Sequence, residues 1–305
     1  MLRKSSIVAA AVLLCTTAGF AAGQVSRLYM IAYDTNQAVI MQNGQIVKQF
    51  TNSGAGKESA MAIHASLRVL GRNPGENGRE YDLDGNLLGG GPYTNPAYVD
   101  VYDGTTDGTF NYGIAHNDFN TNFAVVRGDA NWNNLTVHFV PVDRSSGIAY
   151  DGKTNTLWIA GNVGGLTSLM QYDLSGNLLQ HVSLSFISGA GYGLAWDPAD
   201  DTLWITGAFN GGTVDAYQLS KSGAVLQAVD LPGMSATNWI SAEILPEDDC
   251  FVDCNGDTVI NSLDVLCFLN LYTAQDPAAD CNGDTVINSL DVLCFLNLYN
   301  NPPCP

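Results

Sequence analysis

A stretch of 20 residues occurs twice near the C-terminal end of the chain without one difference. It reads DCNGDTVINSLDVLCFLNLY and fills residues 253–272 and 280–299. Counted from its first Asp, oxygen-bearing side chains stand at positions 1, 3, 5, 9 and 12, and position 7 offers a backbone carbonyl. This is the spacing of an EF-hand-type calcium loop, in which a short turn surrounds a hard cation with oxygens. The predicted ligands of two Ca²⁺ ions are Asp253, Asn255, Asp257, Val259, Asn261 and Asp264 in the first copy, and Asp280, Asn282, Asp284, Val286, Asn288 and Asp291 in the second.

Each loop leads into a predicted helix, SLDVLCFLNLY. Ser262 is expected to cap its N-terminus, and Asp264 in the first turn suits the helix dipole. The residues before the first loop have no helical period, so each unit is a loop followed by one helix. We assign the apolar residues to roughly one helix face: Leu263, Leu266, Phe268 and Leu269.

Two such units in tandem, each with Asp at position 12, resemble a dockerin domain. The Asp-Cys-Asn-Gly-Asp start of each loop is similar to a cysteine-containing variety of that family. The resemblance covers about residues 250–305 and implies a module that folds on calcium and docks onto a cohesin-type domain. One departure is Thr258 and Thr285 at position 6, where the sharp turn usually takes Gly. We therefore expect weaker calcium binding than is usual, because a β-branched residue is strained at positive φ.

Six of the seven cysteines lie within residues 250–305, which is typical of a disulfide framework in an exported module. The repeat favours two symmetric bonds, either within the copies or across them, and a third bond that joins the ends of the module. The within-copy pairs would be Cys254–Cys267 and Cys281–Cys294, and the end pair would be Cys250–Cys304.

Residues 1–23 are predicted to be a signal peptide, because the basic start MLRK precedes an apolar run and the small residues AGFAAG. That run is too short to cross a bilayer, and no later run is long and apolar enough. The formal net charge of −18 argues against nucleic acid and anionic membranes as partners. We therefore expect a secreted protein, extracellular or associated with the cell surface, without a membrane span.

Residues 24–246 contain a decayed repeat of short strands with alternating apolar and polar residues. The clearest pair is GIAYDGKTNTLWIAG (147–161) and GLAWDPADDTLWITG (193–207), and two further strands around a turn follow each. VDVYDG (99–104) is aligned with GIAYDG, so that Tyr102 corresponds to Tyr150 and Trp196. The repeat spacing of roughly 38–48 residues is that of propeller blades.

The chain is accordingly predicted to be mainly β, with a β-propeller of about five blades and then a small α module over residues 247–305. The first blade lacks an inner strand, which WISAEIL (239–245) is expected to supply beside RLYMIAYD (27–34), closing the ring. The strand pattern is similar to that of secreted propellers of the NHL and YncE-like kind. The alternative fold is a β-sandwich or jelly roll.

The propeller region has no catalytic sequence motif, and we name no catalytic residue. Asp103, Asp151 and Asp197 each precede Gly or Pro and are interpreted as hairpin-turn residues; Glu243 aligns with Tyr102 and lies in the channel or between blades. The sequence favours a non-enzymatic protein, whose propeller holds a glycan or protein and whose tail anchors it to a cohesin-bearing scaffold or cell surface. One alternative is a polysaccharide-degrading enzyme with its active site in the propeller, and another is a structural spacer.

Overall fold

The structure is a computed structural model that describes most of the chain outside the first 25 residues. The predicted signal peptide, Cys250 and Cys304 lie outside the described residues, so those predictions stay untested. The described residues are 26–32, 37–51, 57–117, 123–163, 166–185, 187, 191–209, 213–231, 239–245, 252, 254–255, 260–282 and 286–300.

The strands form a β-propeller of five blades, as the repeat predicts. Blade 1 begins with β1 (Arg27–Ala32), β2 (Gln37–Gln42) and β3 (Gln45–Thr51). Blade 2 is the most decayed and contains β4 (Glu58–Ile63), β5 (Leu67–Gly71), β6 (Asn77–Gly78), β7 (Glu80–Tyr81) and β8 (Tyr93–Thr94). Blade 3 contains β9 (Asp100–Thr106), β10 (Phe110–His116), β11 (Phe123–Asp129) and β12 (Thr136–Phe139).

Blades 4 and 5 are the most regular, in keeping with the clearest pair of repeats in the sequence. Blade 4 contains β13 (Ser145–Asp151), β14 (Thr156–Val163), β15 (Leu166–Asp173) and β16 (Leu178–Ser183). Blade 5 contains β17 (Gly191–Asp197), β18 (Thr202–Phe209), β19 (Val214–Leu219) and β20 (Val225–Val229).

The ring is closed by the last strand, β21 (Trp239–Leu245). This strand pairs antiparallel with β1, with Glu243 opposite Tyr29, and thereby becomes the inner strand of blade 1. The predicted closure is confirmed, and the sandwich alternative is wrong. The five inner strands β4, β9, β13, β17 and β21 adjoin around the axis, and apolar clusters fill the spaces between blades.

The register of blade 3 differs from the one expected from sequence. The turn between β9 and β10 contains Asp107 and Gly108, with Gly108 at a φ of +86°, so Asp103 lies in the middle of β9. Asp107 Oδ1 accepts the backbone N–H groups of the residues two and three positions after it, as Asp151 Oδ1 does in blade 4. The alignment of VDVYDG with GIAYDG is therefore wrong, and Asp107 rather than Asp103 has the turn-bonding role of Asp151.

The C-terminal segment forms two helices joined through a 3₁₀ turn at Pro277–Ala279. These are α1 (Ser262–Ala274) and α2 (Ser289–Asn300), one after each loop, as predicted. Within the described part of the chain, neither helix has the length and apolar character that crossing a bilayer requires.

Candidate functional site

The predicted calcium loops are partly described. Asp253, Asp257, Val259 and Asp284 lie outside the described residues, as do Thr258 and Thr285. The remaining ligands of the two copies are placed by the structure, and they are Asn255, Asn261, Asp264, Asp280, Asn282, Val286, Asn288 and Asp291.

The last acid of each loop is completely buried and turned towards its own loop. Asp264 Oδ2 accepts the backbone N–H of Asn261 (2.8 Å), and Oδ1 accepts that of Asn255 (3.3 Å). Asp291 makes the same two bonds, at the same distances, to Asn288 and Asn282. These bonds hold the pKa of Asp291 below its ordinary value, because backbone N–H groups favour the ionised form. A buried carboxylate thus ties each helix to positions 3 and 9 of the preceding loop.

The asparagine at position 9 of each loop caps the helix, so the expectation that Ser262 is the cap is wrong. Asn261 Oδ1 accepts the N–H of Leu263 (2.8 Å), and with Asp264 it completes a capping box. Asn288 caps the second helix in the same way, and its Nδ2 donates to the carbonyl of Val286 (3.0 Å). Since that carbonyl is the predicted ligand at position 7, positions 7, 9 and 12 of the second loop are held together. The donor set, all oxygen, fits calcium.

The two helices share a small aromatic core. Phe268 and Phe295 stack with ring centroids 4.2 Å apart and ring planes 9° apart, and both are buried. Disulfides Cys254–Cys267 and Cys281–Cys294 tie each loop to its own helix, which decides the open pairing in favour of bonds within the copies. Such bonds indicate an oxidising environment.

Leu271 and Leu298 pack on that core, but three other leucines of each helix do not. The prediction that Phe268 and the leucines share one face is wrong, because residues three apart make a separate ridge on the outside of each helix. We call these the leucine ridges, with exposed fractions of 39–57%: Leu263, Leu266 and Leu269 on α1, and Leu290, Leu293 and Leu296 on α2.

At the propeller axis, Asp103 joins the inner strands. Its Oδ2 accepts the backbone N–H of Ile148 in β13 (2.9 Å) and of Leu194 in β17 (2.8 Å). Its Oδ1 accepts the N–H of Ala242 (3.0 Å) and the hydroxyl of Ser241 (2.7 Å), both in β21. One carboxylate therefore connects β9 to three other inner strands.

A second acid, Glu243, lies near Asp103 on the axis. Its Oε1 is 3.3 Å from the hydroxyl of Thr105, and its Oε2 has no hydrogen-bond partner among the described residues. Burial raises the pKa of Glu243 well above its ordinary value, and the charge of Asp103 raises it further. Burial also raises the pKa of Asp103, whose four donors oppose that shift. Of the two acids, Asp103 is the one that ionises at the lower pH, because its four donors favour the carboxylate, whereas a protonated Asp103 would point its hydrogen at one of those donors.

The candidate acids do not form a carboxylate pair in an open cleft. Asp103 is fully buried and bonded to the protein itself, so its interpretation as a turn residue is wrong. Asp151 and Asp197 accept backbone N–H groups within hairpin turns, as expected. One feature of the sequence could have indicated the axial position of Asp103. A second Asp-Gly pair, at 107–108, can form the hairpin turn instead of the pair at 103–104, which leaves Asp103 inside the strand.

No protein-family model matches this chain, and no curated protein matches it. Solved structures of β-propeller proteins do resemble it. A chain of a nidogen–laminin complex is 11% identical, with 72% of this chain and 98% of that chain covered and a TM-score of 0.49. A gluconolactonase from Xanthomonas campestris is 14% identical (72% and 84% covered, TM-score 0.44), and a luciferin-regenerating enzyme is 13% identical (72% and 80% covered, TM-score 0.43). Such distant likeness carries no argument about ligand or activity.

Proposed function

We propose that this chain is a secreted calcium-binding protein whose C-terminal module attaches the propeller to a cohesin-type domain. The module would bind one Ca²⁺ in each loop through the ligands predicted from sequence. Bound calcium would neutralise three carboxylates per loop, which otherwise repel one another. The signal-like N-terminus and the oxidising environment that the disulfides indicate support export.

The observation that carries the docking proposal is the pair of leucine ridges. Soluble proteins rarely leave a large contiguous apolar patch without a partner, because burying it gains about 25 cal/mol per Å². Each ridge begins at the capped N-terminus of its helix, and its first leucine directly precedes the buried acid that bonds to the loop. Order in the loop would therefore fix the position of the ridge, which links calcium to docking.

The test is a calcium titration of the full chain after chelation, followed by calorimetry. We expect about two ions per chain, and loss of most binding in the double variant Asp253→Ala, Asp280→Ala. Asp276→Ala, an acid between the two copies that lies outside both loops, is the matched control and should bind as the parent does. Heat-silent titration of the parent would end the proposal.

Docking is tested separately, by surface plasmon resonance of the full chain against a panel of cohesin-type domains with and without calcium. Binding that needs calcium supports the proposal, and equal binding after chelation contradicts it. A panel of polysaccharide substrates tests the alternative enzyme: turnover that a single Asp or Glu substitution abolishes would favour it over a purely anchoring role.

A further inference from the structure

Blades 4 and 5 carry the same acid-centred arrangement at the end of their inner strands. Asp151 is opposite Thr156, and Asp197 is opposite Thr202, in matching hairpins. The indole N–H of Trp158 lies 3.3 Å from Asp151 Oδ2, and Trp204 bonds to Asp197 from the matching position of β18. The two sites can therefore be compared as two copies of one site within the same chain.

In blade 4, this site holds an ammonium group from the neighbouring blade. Lys221, in the turn between β19 and β20 of blade 5, places Nζ 2.7 Å from Asp151 Oδ2 and also bonds to Asp201. The same Nζ lies 5.6 Å from the centroid of the Trp196 ring, within range of a cation–π contact. At the junction of blades 4 and 5, the acid-centred arrangement thus binds a primary ammonium group.

At the junction of blades 5 and 1, the corresponding turn lies between β2 and β3 and carries Asn43 and Gly44. Both residues have positive φ (53° and 70°), which gives a tight two-residue turn without a lysine. Asn43, Gly44 and Asp197 line a cavity of about 140 Å³ there, and no Lys or Arg is among its described lining residues. The cavity therefore lies between Asp197 and the turn that corresponds to the one carrying Lys221.

The cavity also contains a second carboxylate besides Asp197. Gln171 Nε2 contacts the hydroxyls of Thr154 and Thr156 in blade 4, whereas Gln218 Nε2 contacts the carboxylate of Asp200 (2.7 Å) and the hydroxyl of Thr202 (3.0 Å) in blade 5. Asp200 thus adds a carboxylate where blade 4 has the hydroxyl of Thr154. The cavity therefore has two carboxylates, as the site of Lys221 does with Asp151 and Asp201, but no ammonium group among its described lining residues.

The pKa values of the two buried acids, Asp151 and Asp197, are shifted in opposite directions by their surroundings. Burial acts to raise the pKa of Asp151, yet the bonds from Lys221 and Thr154 hold it below its ordinary value. Burial raises the pKa of Asp197, and the bond from the Ser26 hydroxyl (2.6 Å) does not offset this. A cation beside Asp197 would remove that difference.

The walls of the cavity select the kind of cation. Leu28, Met41 and Ile244 form an apolar side, and Trp204 adds an aromatic surface. A metal ion such as calcium requires oxygens on all sides, which these side chains do not supply. A methylene stem that ends in an ammonium fits both parts of the wall, as lysine side chains do at apolar surfaces.

We propose that the cavity between blades 5 and 1 binds a primary alkylammonium group, carried by a free amine or by a lysine side chain of a partner. The site is independent of the C-terminal module.

Calorimetric titration of the full chain with n-butylammonium chloride tests the site, with n-butanol as the neutral probe of the same shape. We expect saturable binding of the ammonium only. Asp197→Asn should weaken it at least tenfold, about 1.4 kcal/mol. Asp200→Asn, on the exposed rim, should weaken it in the same direction and covers the case in which Asp197→Asn fails to fold. Asp173→Asn is the matched control, an acid in a hairpin turn away from the cavity that loses the same charge.

The other junction provides a second readout. Lys221→Met removes the resident ammonium, so n-butylammonium should raise the Tm of this variant more than that of the parent. N-acetyl-lysine methylamide, compared with the norleucine analogue, separates the sources: binding of the lysine amide indicates a side chain of a partner, and binding of butylammonium alone indicates a free amine. The proposal is overturned if neither cation binds saturably, if n-butanol binds equally, or if both acid variants bind as the parent does.

Discussion

Replacing Asp103 by Asn should destabilise the propeller far more than any other change of one atom at its axis. The carboxylate accepts four hydrogen bonds, two on each oxygen, from Ile148, Leu194, Ser241 and Ala242. An asparagine keeps one oxygen and turns an NH₂ group towards the other two donors. Two buried donors then lose their acceptor, at about 1–3 kcal/mol each, so we expect a loss of about 2–6 kcal/mol. This is a large part of the 5–15 kcal/mol by which a domain is typically stable.

The matched control is Glu243→Gln at the same axis. Glu243 has one weak partner, Thr105, and an Oε2 without a partner among the described residues, so the amide should cost about 1 kcal/mol or less. Urea unfolding at pH 7, followed by tryptophan fluorescence, measures both variants. The Asp103 variant should lower the midpoint without changing the slope of the transition. Equal losses of unfolding free energy in the two variants, or an Asp103 variant as stable as the parent, would refute the assignment of Asp103 as the acid that carries the charge.

Three further outcomes are expected. Because folding raises the pKa of Glu243, this group ionises at a lower pH in the unfolded chain than in the folded one. Its contribution to stability should therefore fall above about pH 4.5, by at most about 1.4 kcal/mol per pH unit, and Glu243→Gln should make the urea-midpoint profile less steep there. Leu266→Lys with Leu293→Lys should abolish docking while leaving the Tm within a few degrees, since both side chains are exposed; a large drop in Tm would show that the ridges are structural. Asp291→Asn should reduce the number of bound calcium ions from two to one by calorimetry, and two tight sites in this variant would contradict its role as a ligand.

The architecture could be read from sequence where turn chemistry and strand pattern agree. The Asn43-Gly44 pair predicts a two-residue hairpin, and both residues take the positive φ that such a turn requires. The repeat predicted the strands of blades 4 and 5, and the unpaired WISAEIL segment predicted how the propeller ring closes. These features are local, or they follow from the need to cover a sheet edge.

Other features depend on contacts that no local pattern encodes. Two Asp-Gly pairs lie four residues apart in blade 3, and only packing of the inner strands decides which one turns. The role of Asp103 follows from that register and from donors on three distant strands. The apolar period likewise predicted the positions of α1 and α2 but not their buried faces. Those faces are set by the stacking of Phe268 on Phe295, a contact between the two copies of the repeat.

The pairing of β21 with β1 brings the first and last strands of the propeller into one blade. During synthesis, the earliest strand must therefore wait with an unpaired edge until more than two hundred later residues have emerged. A chain that stops before Trp239 would expose the edge of β1 and leave Asp103 without Ser241 and Ala242. Premature termination should thus yield aggregates rather than a four-blade remnant. In the full chain, the propeller should fold in one cooperative step, when the last strand pairs with the first.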